Sequence, residues 1–370
     1  MRFYDHQNYY NITTDLLGSD ILKILHLLKT NRFSGAENVV CQIISMFRDD
    51  AEYDMVYCSP DGPISLSLEA RGVPFLPLDT FTLSEVKRAV CEFKPDVIHA
   101  HDVHAGLYAA LAGGGYRIID HIHGNDIGMR KVNKKSLSFR YAASKADKII
   151  WVFESALDDY VFSHNKQIRA KSLILKNVLD GDALLKKAET ASETLHPTIV
   201  FLGRINDIKD PIRAIRIMAE VIGRIPEATA ILIGSGELFD DCSSLIESLG
   251  LSERIILAGF MENPYGILRN GKVFLMTSKF EGIPMAAMEA MAFGLPVVTT
   301  PADGMKFLVT DGQNGFVSDD DTVLSNDIVK LCQDNTMYDT VSKAALERFR
   351  ELNDQESCRR ILKDIYDGIE

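Results

Sequence analysis

The chain has 370 residues, 46% of them hydrophobic and 25% charged, a soluble globular composition long enough for two α/β domains and far from disordered or collagen-like sequences. Its six cysteines (Cys41, Cys58, Cys91, Cys242, Cys332, Cys358) include no CxxC pair and no run of eighteen apolar residues occurs, so neither a disulfide frame, a zinc knot nor a spanning helix is expected. The net charge of −12 is uneven, with 21 Lys and Arg against 22 Asp and Glu over residues 1–180 and 19 against 30 over 181–370; an acidic body argues against nucleic acid as a partner, because phosphate neutralisation needs a basic face.

The first twenty residues are polar, carry three tyrosines and lack the basic-then-apolar pattern of a secretory leader, so a disordered or surface-packed arm on a cytoplasmic protein is expected. Short apolar runs then alternate with helix-period segments, each closed by Gly, Asp, Asn or Pro, the pattern of β-α units around a parallel sheet. One set of strands is expected near 21–28, 53–59, 96–100, 116–122 and 148–153. After a polar stretch a second set follows near 198–203, 229–234, 254–260, 272–278 and 296–300, and residues 320–370 read as helices throughout. The boundary falls between about 181 and 196, giving domains over 1–180 and 181–354. Two doubly wound domains place ligands at the carboxyl ends of their strands, so the cleft between them is the first place to look for a site.

Along that edge, Ser34 and Gly35 form the turn between the first strand and first helix, where small residues let backbone approach a ligand, and Glu37 follows in the first helical turn. The turn lacks the G-x-G-x-x-G dinucleotide fingerprint, and residues 231–238 supply only G-x-G, which argues against a nicotinamide dehydrogenase. His99 with His101, and His121 with His123, share one side of two strand ends. A four-histidine metal site is the minor reading and hydrogen-bonded strand-end histidines the major one, so no metal is expected. His123, leading into Gly124-Asn125-Asp126, is placed to face the cleft. The stretch 127–150 that follows holds Arg130, Lys131, Lys134, Lys135, Arg140, Lys145 and Lys148 against Asp147 alone; it is either a solvated helix face or a contact for an anionic membrane surface or lipid-diphosphate acceptor.

In the second half, Gly203 ends a buried strand, and Arg204 and Lys209 lie five residues apart on the following loop. Two cations at a strand end in an acidic domain suit a diphosphate, Arg as a planar fork and Lys as a point charge; the alternative is a surface pair bonded to Asp207 and Asp210. The segment 278–298 is the most informative. Gly282 followed by Pro284 is suited to starting a helix, with Pro in the first turn, and the free N–H groups of Ile283, Met285 and Ala286 then make an anion site. Glu281 precedes the helix and Glu289 lies about two turns into it. Beside a bound phosphate such carboxylates fit if turned to sugar or ribose hydroxyls; otherwise Glu281 caps the helix and Glu289 is solvated or ion-paired.

These segments resemble the retaining GT-B glycosyltransferases of glycosyltransferase family 4, through SGAE at 34–37, KPDVIHAHD at 94–102, HIHG at 121–124, KNVLD at 176–180, FLGRINDIKDP at 201–211, IGSGEL at 233–238 and EGIPMAAMEAMAFGLPVV at 281–298. The resemblance implies two Rossmann-like domains facing across a cleft, with a C-terminal helix at about 355–370 crossing back to the first. It implies that Arg204 and Lys209 hold the donor diphosphate, that Glu281 meets the donor sugar and Glu289 the ribose, that Gly35 approaches the diphosphate, that amides of Ile283 to Met285 meet phosphate and sugar, and that His123 sits beside the sugar. Ser34 stands where relatives often have a first glycine, and Phe307 where many have a glutamate.

The expected activity is transfer of a hexose from a nucleotide-diphosphate sugar, UDP-linked, to a saccharide or lipid-linked hydroxyl acceptor with retention, without metal or other cofactor, in surface polysaccharide or glycolipid assembly. The enzyme would be cytoplasmic and peripheral to the membrane. The alternatives are a nucleotide-sugar epimerase or phosphorylase of the same fold and, further off, a sugar-binding protein.

Overall fold

The computed structural model describes residues 21–33, 35–124, 127–191, 195–282 and 284–369. Two all-parallel sheets organise them. The first contains β1 (Leu22–Leu27), β2 (Tyr53–Pro60), β3 (Phe75–Leu78), β4 (Val97–His101), β5 (Arg117–Ile122), β6 (Lys148–Trp151) and β7 (Ser172–Ile174), in the order 3-2-1-4-5-6-7. The second contains β8 (Ile199–Leu202), β9 (Ala230–Ile233), β10 (Ile255–Gly259), β11 (Val273–Met276), β12 (Val297–Thr299) and β13 (Gly315–Val317), in the order 10-9-8-11-12-13. Strand order reverses at β1/β4 and at β8/β11, the switch points of two doubly wound domains, and there the carboxyl ends open a crevice. The central strands are buried on both faces, as in the fully buried β9 and β11, which is why they read as continuous apolar runs.

Three strands escaped the sequence pattern, and all three lie at or next to a sheet edge. Tetrapeptide β3 contains Pro77, tolerable because an edge strand has one side without ladder bonds. At the opposite edges, β7 and β13 have three residues each, too few to show a period. Helix starts are plainer. Asp180, Asp210, Asp320, Asp334 and Asp354 each cap a helix by accepting a backbone N–H, so four of the second half's acidic residues serve as caps.

The last helix, Gln355–Asp367, follows the second sheet in sequence but packs on the first. Leu362 and Tyr366 are fully buried there, and the Tyr366 ring meets Phe47 and Tyr53 at 5.6 and 6.2 Å. Arg117 donates to the carbonyls of Ile365, at 3.0 Å, and Tyr366. Arg359 pairs with Asp50 and Lys363 with Glu52, both at 2.5 Å. Among the described residues no helix is long and apolar enough to cross a membrane.

Candidate active site

The loops after β8 and β9 are packed backbone against backbone. Gly203 N–H donates to Ile233 O at 3.0 Å and Ile205 N–H to Ser235 O at 2.9 Å. A Cβ on Gly234, whose φ is +147°, would lie 1.8 Å from Gly203 O, and one on Gly236 would lie 2.2 Å from Ile205 O. Only glycine fits these two positions. This packing fixes the loop that carries both cations. Arg204 is exposed and makes no hydrogen bond or ion pair with another described residue. Lys209 is held from behind: its N–H donates to Asn206 Oδ1 at 3.1 Å, and Thr277 Oγ1 donates to its carbonyl at 3.1 Å and to that of Asp210 at 2.8 Å. The two aspartates that could have neutralised the cations are engaged elsewhere, Asp207 with Lys279 at 2.6 Å and Asp210 as a helix cap.

Lys209 Nζ instead ion-pairs with Glu281 Oε1, the two side chains being 17% and 7% exposed. The Glu281 loop is wedged from below. Gly304 N–H donates to Glu281 O at 3.2 Å, and a Cβ on Gly304 would collide with Gly282 O at 1.3 Å. From the other side the first domain closes on it, since a Cβ on Gly282 would lie 3.0 Å from the Phe153 ring and 3.4 Å from His123 O. Ile283 lies outside the described residues, as does Ser34. Pro284 is the N-cap of the helix Met285–Ala292, one position before the expected first turn, and no described side chain caps that helix. Glu281 therefore is not a cap. Glu289 is the fifth helical residue, little more than one turn in, and is neither solvated nor ion-paired with another described residue: it is 6% exposed and accepts from Tyr265 OH at 3.2 Å. Burial pushes its carboxyl up to about 7, against the pull of Tyr265 and of the charges of Arg71 and Lys187.

On the first domain's side, Gly35 opens the first helix and is exposed, with open space around its Cα. Glu37 is buried and accepts from Thr30 Oγ1 at 3.1 Å. His123 follows β5, its N–H donating to Asp102 Oδ1 at 3.3 Å and its Nε2 paired with His101 Nδ1 at 2.8 Å.

The family comparisons fall on this arrangement. The glycosyl transferases group 1 profile matches residues 184–348 and the Glycosyltransferase Family 4 profile matches 33–167, so between them they take in all of the second sheet and β2 to β6 of the first. The chain belongs to the family 4, group 1 glycosyltransferases. This glycosyltransferase is 34% identical over 151 residues to the poly(glycerol-phosphate) alpha-glucosyltransferase of Bacillus subtilis, a match covering 40% of the chain but 22% of that longer enzyme. It is 24% identical to the UDP-Gal:alpha-D-GlcNAc-diphosphoundecaprenol alpha-1,3-galactosyltransferase of Escherichia coli over 93% of the chain and 96% of that protein. Its fold is that of Anabaena HepE, solved in complex with UDP-glucose, at a TM-score of 0.78 and 20% identity over 94% of the chain and 100% of HepE.

In the glycosyltransferase, the sequence-derived residues Lys209, Glu281, Gly282 and His123 form one chain of contacts across the domain junction. Phe153, Arg71, Lys187 and Tyr265 surround Gly282 and Glu289 without having been singled out in the sequence; each reaches the site from a separate segment, and no local pattern marks it. Phe307 does not take a carboxylate's part: Lys176 and Arg348 lie over its ring at 4.2 and 5.5 Å. Of the basic stretch, Arg130 pairs with Asp159 at 2.9 Å, while Lys131 and Lys134 are exposed and Lys135 is half-buried at the start of the helix Lys134–Lys145.

Behind His123 stand four more histidines, His26, His99, His101 and His121, all buried. Burial holds the rings neutral, with His26 pushed down to about 3 and His123 to about 4. Two triplets, His26-His99-His101 and His101-His121-His123, bring ring nitrogens within 4.8 Å of one another. Their planes lie 13° to 38° apart. Several of these nitrogens already meet another ring nitrogen at 2.8 to 3.2 Å, the hydrogen-bonded arrangement expected of strand-end histidines.

Proposed function

We propose that this glycosyltransferase moves a hexose from a nucleotide-diphosphate sugar, UDP-linked, to a hydroxyl acceptor with retention of configuration, the acceptor being lipid-linked and the product a surface polysaccharide or glycolipid. The observation that carries the reading is the pairing of an uncommitted Arg204 with a Lys209 already docked on Glu281, at the end of β8 where the first domain meets Gly282. A diphosphate arriving between the two cations would share Lys209 with Glu281, leaving the glutamate's remaining acceptor sites for a sugar hydroxyl. Gly203, Gly282, Pro284 and Met285 would line the diphosphate and sugar, Glu289 would take the ribose, Gly35 would approach from the other domain, and His123 would stand beside the sugar.

As the bond from sugar to diphosphate breaks, negative charge builds on the leaving oxygens. Preplaced cations and helix amides lower that barrier without moving, and the scheme calls for no metal and no further cofactor. The UDP-Gal donor and diphosphoundecaprenol acceptor named for the Escherichia coli relative, and the UDP-glucose bound to HepE, support the donor and acceptor classes. The exposed cations Lys131 and Lys134, together with Arg130 and Lys135, support a peripheral seat on an anionic membrane for reaching a lipid-linked acceptor.

Turnover of UDP-sugars by Arg204→Ala and Lys209→Ala tests the reading at saturating donor. Each substitution is expected to cost about 100-fold or more in kcat, the size typical of losing one preorganised group at a developing charge. Arg204→Ala should leave the thermal midpoint unchanged, since an exposed, unpaired side chain adds little stability. Wild-type turnover in both variants would remove the proposal.

A further inference from the structure

The five histidines form two hydrogen-bonded rows. In one, His26 Nδ1 meets His101 Nε2 at 3.1 Å and His101 Nδ1 meets His123 Nε2 at 2.8 Å. The ring centroids along it are 5.4 and 5.0 Å apart with planes 18° and 22° apart, the spacing of rings joined edge to edge in nearly one plane. In the other, Tyr366 OH meets His99 Nδ1 at 2.8 Å and His99 Nε2 meets His121 Nδ1 at 3.2 Å. The rows lie over one another, with His99 and His101 4.4 Å apart and His121 and His123 4.1 Å apart.

A neutral imidazole has one N–H and one lone pair, so three rings joined by two N–H to N bonds are directed head to tail. Of the two outer nitrogens, His26 Nε2 and His123 Nδ1, one then carries a hydrogen and the other a lone pair, and neither has a partner among the described residues. The negative charge of Glu37 acts on His123. It favours the positive, N–H end of the row at that terminus. We propose that His26 and His101 are positioning residues that hold His123 as its Nδ1–H tautomer, so that the row presents a fixed hydrogen-bond donor at the domain junction. Resting on the proposed transfer reaction, the donor's target is a hydroxyl oxygen of the bound sugar.

Ring-nitrogen NMR of the 15N-histidine-labelled full-length protein reads the tautomer directly, and steady-state kinetics reads its use. Wild type is expected to show His123 protonated at Nδ1. His101→Leu should give His123 a mixture of tautomers and lower kcat about 10- to 100-fold, as loss of a group orienting a functional histidine does, with the donor KM little changed. His101→Gln keeps both a donor and an acceptor and should recover most of the rate. Combining His101→Leu with His123→Ala should add nothing to His123→Ala alone. Should His101→Leu fail to fold, His26→Gln perturbs the row one ring further back and should shift the same signals. An Nε2–H tautomer of His123 in wild type, or His123 signals and kcat unmoved in a folded His101→Leu, overturns the inference. Absence of sugar transfer from every donor would overturn the proposed function instead, and the tautomer of His123 would still decide for or against the row.

Discussion

Glu289 sets burial against charge. Its carboxyl titrates at about 7 in the folded protein against 4.5 ordinarily, burial being the first cause. Between those two values the folded state holds a proton that the unfolded state has released, so this group's contribution to stability falls as pH rises through the window, by roughly 3 kcal/mol in full. Glu289→Gln removes that slope. The variant should melt near wild type at pH 4.5 and above it at pH 8, while its donor KM rises about tenfold for loss of the proposed charge-assisted bond to the ribose. Equal melting differences at both pH values would show the carboxyl ionising freely. The placing of Glu281 before the expected helix and Glu289 within it made Glu289 legible as a residue of interest. Its state was not legible, because that depends on Tyr265, 24 positions earlier, and on the charge of Arg71 from the other domain.

At the scale of elements, apolar runs and Asp caps were readable because both are local. Strand alternation placed His99 with His101 on one side, but the rows depend on registers between strands. His26 lies opposite His99 in the β1/β4 ladder, and His101 opposite His121 in β4/β5, yet each row bonds along the diagonal. The basic helix Lys134–Lys145 is a second case. Its composition was plain, whereas only the fold separates its faces: Phe139, Ala142 and Ala143 turn inward, and Leu137, Tyr141 and Lys145 stand exposed with Lys134, next to an exposed Val132. Apolar groups interleaved with cations suit the headgroup region of an anionic leaflet, where each cation adds about 1 kcal/mol. The protein should float with vesicles containing phosphatidylserine at low salt and be released as salt rises. Lys134→Glu with Lys145→Glu should weaken binding by at least tenfold, with the thermal midpoint held. Equal recovery on neutral and anionic vesicles would discard this contact.

At the scale of the molecule, two parallel-sheet domains were legible from the repeated β-α pattern, whereas the destination of the last helix was suggested only by family resemblance. An amphipathic segment announces that one face is covered, not by which sheet. In this glycosyltransferase Leu362, Ile365 and Tyr366, encoded after the second domain, complete the core of the first. A defect there should therefore act far from its place in the sequence. Leu362→Ala leaves a cavity in a fully buried layer and should cost about 3 kcal/mol, lowering the unfolding midpoint of the first domain by roughly 10 °C. Limited proteolysis near that temperature should release peptides from residues 21–174 first, while the second sheet, over residues 199–317, stays protected. If the second sheet were cleaved first, the helix would be stabilising the domain that precedes it in sequence, and the crossing would be an incidental docking of the chain end. Loss confined to the first domain would instead make the helix a part of that core, tying the two sides of the crevice through one continuous chain.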